Sequence, residues 1–491
     1  MKKLLCTLLT AAMLCGCAAA PVQTVPATSA PTESTAAQWQ LEKGGLTISA
    51  PDGLSENAIT SEEAKDHTVV RISAPGTYIL SGKLDAGQIA VDLGEKARED
   101  PNAVVTLILD GLDITCPSAP AIVFYNVWES GEPGGTAGAN VILAEGSVNY
   151  VNGSHTEDDD GALYSKMSMT LGGEGALLIT GDNEGLCSEM HLTVSSGDIF
   201  IRSGNDGINT NADGVSVTTI NGGHLRITVT GQTGEGDGID SNGSIVIGGG
   251  VVEAFACGSS MDSGIDADLG IRISGGIVVA TGNMLDQIDE NSQTHAVFSF
   301  AQPQTGGSYT LKNEQGDVLF DITVPNGFSS LIFSTSDLTE GNYTLWSGDI
   351  QFEGVSGGIG HGDRPQFPGR DDGRVEIPPQ PTVPIVTHGE QPTPDMSVQG
   401  EVPFIPEMPA GDPPADMPVP QFPEGSNGQM PVPPMPQEGE NMPMPQLPEG
   451  VEPPPDGFGR QPIGSVVIGV LSTDFPITSG ANYFTDLRPV E

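Results

Sequence analysis

The chain is expected to be all-β: a right-handed parallel β-helix, a solenoid of about 22–31 residues per coil, closed by a small antiparallel β cap. Three observations carry this expectation. First, five segments repeat on a glycine anchor: DDGALYSKMSMTLGGEGALLITGD, NEGLCSEMHLTVSSGDIFIRSG, NDGINTNADGVSVTTINGGHLRITVTGQTGE, GDGIDSNGSIVIGGGVVEAFACGSSM and DSGIDADLGIRISGGIVVATGNM. Their anchors, Gly161, Gly185, Gly207, Gly238 and Gly264, are 24, 22, 31 and 26 residues apart, and a fixed period of this length marks a stacked-repeat architecture. Second, apolar residues alternate at period two, as Leu225, Ile227 and Val229 do against Arg226 and Thr228, which describes strands with one buried face. Third, a glycine turn such as GGG or SGG separates two strands within each unit, so one period holds three short strands and three turns. A leucine-rich repeat would need a leucine ladder these units lack, and calcium-binding nonapeptide rolls repeat far more often.

The elements follow in order. MKKLLCTLLTAAMLCGCAAA has a basic start and an apolar run too short to span a bilayer, so residues 1–16 read as a signal peptide. Leu14-Cys15-Gly16-Cys17 resembles the bacterial lipobox, which implies that Cys17 carries a lipid and anchors the chain to the outer face of the cell membrane. Residues 17–40, mostly Ala, Pro, Ser and Thr, read as a flexible tether. The β-helix is expected over 41–294, with GTYILSG, TLILDGLDIT and ANVILAEGSVNYV supplying looser coils upstream of the five repeats. Residues 295–355 read as five or six antiparallel strands that cap the open end. Residues 356–462 are rich in Pro, Met, Gly and acids and read as a disordered insertion. Residues 463–491 regain strand character and are expected to return to the folded body.

With 64 acidic against 18 basic residues, the formal charge is -46. Such a chain repels nucleic acid, leaving cations, neutral polymers, or acidic polymers reached through bridging cations as partners. Outside the leader, Cys116, Cys187 and Cys257 show no metal-binding spacing and read as buried free thiols.

Stacked coils place equivalent residues about 4.8 Å apart. Asp206, Asp237 and Asp262 precede glycine anchors, and Asn209, Asp240 and Asp266 follow them. Carboxylates at that separation repel unless a cation intervenes, and calcium accepts six to eight oxygens in loose geometry. The ligand candidates are Asp206, Asn209, Asp237, Asp240, Asp266 and Asp268, with Asp158, Asp159 and Asp160 as a second site. The alternative is that these aspartates only close turns as Asx motifs. The second unit, Glu184-Gly185-Leu186-Cys187-Ser188, departs from the Asp-Gly pattern, which puts a metal position in that coil in doubt. GDGIDSNG does not read as a phosphate loop, because no helix and no Lys-Ser/Thr pair follow it.

GTYILSG, TLILDGLDIT, AIVFYN, the DGI-x-S/T elements, FSSLIFSTSDLTEGNYTLW and ITSGANYF together resemble a family of secreted bacterial carbohydrate-binding domains with a pectate-lyase-like β-helix. The resemblance implies bound Ca2+ and a polysaccharide partner, cellulose or an acidic pectin-type glycan, without established catalysis. Arg202, Arg226 and Arg272 are the sugar-contact candidates, since a guanidinium pairs with a sugar carboxylate. Two other functions remain open: a polysaccharide lyase drawing its base from Lys166, the three arginines, His191 or His224, or an adhesin whose proline-rich insertion binds a protein partner.

Overall fold

The computed structural model describes residues 37–40, 44–357 and 471–490. The signal peptide, Cys17 and almost all of the proline-rich insertion lie outside the described residues. Apart from a short 3-10 turn at Glu95–Glu99, every regular element described is a strand. No helix among the described residues is long and apolar enough to cross a membrane.

Three parallel ladders run the length of the solenoid. The first passes through Ile122–Asn126, Gly161–Ser165, Glu184–Ser188, Ile208–Thr210, Ile239–Ser241 and Ile265–Ala267. The second joins Val105–Thr115, Ala139–Leu143, Met169–Gly173, Leu192–Val194, Val217–Ile220, Ser244–Ile247 and Gly270–Ile273. A third joins Val148–Gly153, Ala176–Gly181, Asp198–Ser203, His224–Val229, Val251–Phe255 and Ile277–Gly282. The long strands Gly76–Leu84 and Val105–Thr115 each feed both the second and the third ladder. Each coil thus hands its unpaired edges to the next, which is why the repeat is obligatory.

Alternation decides what enters the core. Leu163, Leu186, Ile208, Ile239 and Ile265 stack inward on the first face, and Ile179, Ile201, Ile227 and Ala254 on the third, all buried. Each large aliphatic side chain buried this way contributes about 1.5–3 kcal/mol. The coils turn at glycine because the corners leave no room. A Cβ on Gly238 would run into the Gly264 carbonyl oxygen, and the corner backbones approach one another repeatedly in this way. Cys116, Cys187 and Cys257 are free and buried.

Two details differ from the pattern read in the sequence. Ala37–Gln40 is not loose tether: it pairs with Thr47–Ala50, and Trp39 packs against the core. The first repeat is offset by one residue, since Gly161 pairs with Glu184 and Leu163 with Leu186. The corner position of Gly185 therefore falls to Ala162. Six antiparallel strands between His295 and Ser356, together with the returning strand Ala481–Pro489, build a separate aromatic core around Phe298, Phe320, Phe333 and Phe484. This cap binds the solenoid by pairing Phe328–Ser334 with Ile277–Gly282, and it clasps the earlier coils through Asn326, whose Nδ2 donates to the Val229 and Ala256 carbonyls at 2.7 and 2.6 Å. After the insertion, Ala481–Pro489 lies parallel to His295–Gln304 and antiparallel to Ile350–Ser356.

Candidate metal centre

The first ladder carries two columns of polar side chains at the corner where each coil starts. In the column after the glycines, Asn209, Asp240 and Asp266 are in strict register, with Cys187 one coil earlier. In the column before the glycines stand Glu184, Asp206, Asp237 and Ser263, since Gly185, Gly207 and Gly238 each donate their N–H to the carbonyl of the residue one coil on. The two columns face each other across a Gly-Ile or Gly-Leu step, which makes a grid of acids.

Among the described residues, one group of three metal-ligating side chains has its ligand atoms all within 4.8 Å of one another: Asp237, Asp240 and Asp266. Asp206 adjoins them, its Oδ1 accepting the Asp237 N–H at 2.7 Å. Asp237 in turn accepts the Ser263 N–H at 2.5 Å. These contacts fix the carboxylates against the backbone without neutralising them. No lysine, arginine or histidine among the described residues forms an ion pair with Asp206, Asp237 or Asp240.

The electrostatic consequence is large. Burial, then the Asp206 and Asp266 charges, pushes Asp237 from 3.8 to about 9. Burial, followed by the same two neighbours, raises Asp240 to about 7. Asp206 rises to about 7 through burial and Glu184. A grid of this kind resists ionisation at neutral pH unless positive charge enters it.

Two buried oxygens sharpen the point. Asn209 turns its Nδ2 toward Glu184 Oε1 at 2.8 Å and Asp206 Oδ2 at 3.3 Å, which leaves its Oδ1 without a hydrogen-bond partner. Glu184 Oε2 is buried and equally without a partner. An acceptor in such a place is stable only with a donor or a cation opposite it. Carboxylates, one amide oxygen and backbone carbonyls are the hard-oxygen set calcium prefers, so the residues present fit a hard divalent ion.

Glu184 is the member that the sequence pattern missed. Its coil lacks aspartate before the glycine, but glutamate supplies a carboxylate in the same column, 5 % exposed and raised to about 7 by burial. Asp262 sits one residue too early for the column, so its Oδ2 instead accepts the Gly236 N–H at 2.6 Å and the Ser260 hydroxyl. Asp268 lies just beyond the strand Ile265–Ala267, where its charge raises Asp240 from outside the group of three.

Asp158, Asp159 and Asp160 do not form a second ligand group. Asp159 turns inward to Lys166, 3.0 Å away, and accepts the Tyr125 hydroxyl at 3.0 Å. Asp158 is exposed, and Asp160 is raised by burial and by Glu189. The arginines also part company. Arg202 pairs in register with Thr228, Arg226 with Phe200, and Arg272 lies on the second ladder opposite Val246. Arg226 is held by Glu253 at 2.6 Å and by the Thr323 carbonyl at 2.9 Å. Period-two alternation gave all three an outward position but could not place them in one row.

A β-solenoid with buried acids stacked along one corner is the class of protein that these ladders and distances define. Residues 65–315, just over half of the chain, match the family of carbohydrate-binding domain-containing proteins, and the chain belongs to that family. A carbohydrate-binding domain-containing protein of Acetivibrio thermocellus is 26% identical over 136 residues, 27% of this chain and 45% of the relative. The chain thus matches less than half the length of that relative. The solved structure of a polysaccharide lyase-like protein from C. thermocellum, a gadolinium derivative, aligns over 45% of this chain and 84% of that one, at 22% identity and a TM-score of 0.34.

Proposed function

We propose that the chain is a calcium-dependent carbohydrate-binding lipoprotein, held at the outer face of the cell membrane through Cys17, that retains plant cell-wall-type or acidic polysaccharide. The observation that carries the calcium part is the convergence of Asp237, Asp240 and Asp266 beside Asp206, Asn209 and Glu184. Family membership supports the carbohydrate part. When bound, the ion supplies positive charge that lets the buried acids ionise together and stiffens the coils that share it. The protein's own residues do the rest: Asp206 and Asp237 hold their oxygens against backbone amides, and the glycine corners keep the two columns close.

Retention of the protein on polygalacturonate and on insoluble cellulose, measured with calcium and with chelator, tests this reading. Calcium-dependent retention on at least one polymer is expected. Absence of retention on both, in both conditions, removes the carbohydrate-binding reading. Equal retention with chelator removes its calcium dependence.

A further inference from the structure

The outward side of the third ladder departs from the acidic character of the rest of the surface. On each of its strands, residues alternate between the core and solvent, and the outward ones align in rows along the solenoid axis. One row contains Tyr150, Leu178, Phe200 and Arg226 in register. The adjacent row contains Val148, Ala176, Asp198 and His224. Val148 is 46% and Tyr150 38% exposed, and Leu178 and Phe200 are partly open. The Phe200 ring stands edge-on to His224, with centroids 5.6 Å apart. A contiguous apolar strip on the outside of a chain this rich in charge has no role in the core and marks a contact surface.

Its limits are structural. Toward the cap, Glu253, Phe255 and Val279 on the same ladder are buried, and Arg226 reaches the cap strand at Thr323. The strip therefore stops where the cap begins. Beside it, between the second and third ladders, the stacked glycine corners leave a furrow of about 920 Å³, floored by Gly173, Gly197, Gly223, Gly250 and Gly276 and closed at the cap end by Thr335–Asp337. Asp198 and His224 belong both to the furrow wall and to the exposed row. Five coil corners at about 4.8 Å spacing give the furrow a length of about 19 Å. Strip and furrow both run along the axis, so the ligand they fit is a linear polymer.

The chemistry of the rim selects among polymers. Asp113, Glu174 and Asp198 lie along it, and Lys83 is engaged by Asp85 and Asp113, each at 3.1 Å. Arg226 is tied to Glu253. Arg202, one outward position beyond Phe200, is the remaining guanidinium among the described residues of this face. With Lys83 shared between Asp85 and Asp113, Glu174 and Asp198 outnumber Arg202 among the described residues of this face, and the carboxylate excess repels a chain of uronates. Rings such as Tyr150 and Phe200 instead suit the apolar C–H faces of neutral sugars, and Asn152, Thr115 and Thr180 offer amide and hydroxyl groups to the sugar hydroxyls. Those two rings are two coils apart, about 9.6 Å, comparable with one disaccharide step of an extended β-linked chain.

We infer that the outward face of the third ladder, centred on Tyr150, Leu178 and Phe200 beside the glycine furrow, binds a neutral, extended polysaccharide chain laid along the solenoid axis. The inference rests on the carbohydrate-binding reading but uses a face separate from the acid grid, so it operates without calcium.

The test compares the full chain with the double variant Tyr150→Ala/Phe200→Ala, and with Ile350→Ser, which alters an exposed apolar residue on the cap. Affinity electrophoresis in a soluble neutral β-glucan and in polygalacturonate, each with calcium or chelator, supplies the readout, and thermal melting checks folding. The expected result is a loss of about tenfold or more in neutral-glucan affinity for the double variant, equal with and without chelator. Ile350→Ser should bind like the parent, and the melting temperatures should agree. Parent binding to neutral glucan that the double variant retains overturns the inference while leaving the broader carbohydrate reading intact. Loss of glucan and polygalacturonate binding together overturns the separation of the two faces. No binding of the parent to any polymer overturns both readings.

Discussion

Replacing Asp237 by asparagine should stabilise the calcium-free protein at neutral pH and remove much of its response to calcium. Asp237 has an ordinary value of 3.8 and a folded value of about 9. At pH 7 its carboxyl is therefore protonated in the folded chain and ionised in the unfolded one. A folded-state value raised above the unfolded one contributes stability that is complete below the unfolded value and is lost as pH rises toward the folded value. Between the ordinary value and pH 7 the loss amounts to about 4 kcal/mol, at about 1.4 kcal/mol for each pH unit. Asparagine keeps an oxygen to accept the Ser263 N–H and carries no titration, so that loss vanishes. In a folded body of this size the gain is about 5 °C in melting temperature. Calorimetry of both proteins at pH 5 and pH 8, with calcium or chelator, gives four curves for each. The parent should melt lower at pH 8 than at pH 5 in chelator and recover with calcium. The variant should fall less between pH 5 and pH 8 than the parent, the remaining fall coming from Glu184, Asp206 and Asp240, and should gain less from calcium. An Asp237→Asn protein that melts below the parent in chelator at pH 8, or that keeps the full calcium-induced rise, would refute the electrostatic account.

Calcium binding should release protons near pH 7, because Glu184, Asp206 and Asp240 all have values raised to about 7; calorimetric titration in buffers of different ionisation enthalpy measures the number released. Asn209→Leu removes the amide that bridges Glu184 and Asp206 and should weaken calcium affinity by about tenfold, in line with the loss of a ligand or its orienting partner; titration in a calcium buffer reads the change directly. Gly238→Ala forces a methyl group against the Gly264 carbonyl and should destabilise the fold by several kcal/mol, about 3 or more if the corner cannot shift; urea unfolding tests it. Phe320→Ala empties part of the cap core, where the ring stacks on Phe333 at 4.2 Å between centroids, and should lose about 3–5 kcal/mol while leaving calcium affinity unchanged.

The sequence made the solenoid legible because a parallel coil repeats its constraints. Alternating Leu225, Ile227 and Val229 must face inward, and the glycine corners recur wherever backbones meet. The same repetition marks Asp206, Asn209, Asp237, Asp240 and Asp266 in the sequence. What escaped depends on single-residue offsets that pattern matching absorbs silently. Aligning on Asp-x-Gly hid the shift that pairs Gly161 with Glu184, and seeking aspartate hid a glutamate doing the same electrostatic work. The Asp158–Asp160 run misled because consecutive residues on a bend point in different directions, and Lys166 captures the middle one. Tyr150 and Phe200 were invisible as a pair, since 50 residues separate them in the chain and only the ladder register puts them in one row.

Beyond Ser356 the chain is back in the cap by Ser472, which exchanges backbone hydrogen bonds with Gly354, and the returning strand Ala481–Pro489 lies beside both Ile350–Ser356 and His295–Gln304. The consequence falls on order in time. During synthesis every coil of the solenoid can stack as soon as the next is made, but the cap lacks Phe475 and Phe484, both buried in its core, until more than a hundred further residues have followed Ser356. The cap is thus finished last: a chain cut or arrested between Ser356 and Phe475 has its coils stacked and paired with Phe328–Ser334 but lacks Phe475, Phe484 and the strand that joins Ile350–Ser356 to His295–Gln304.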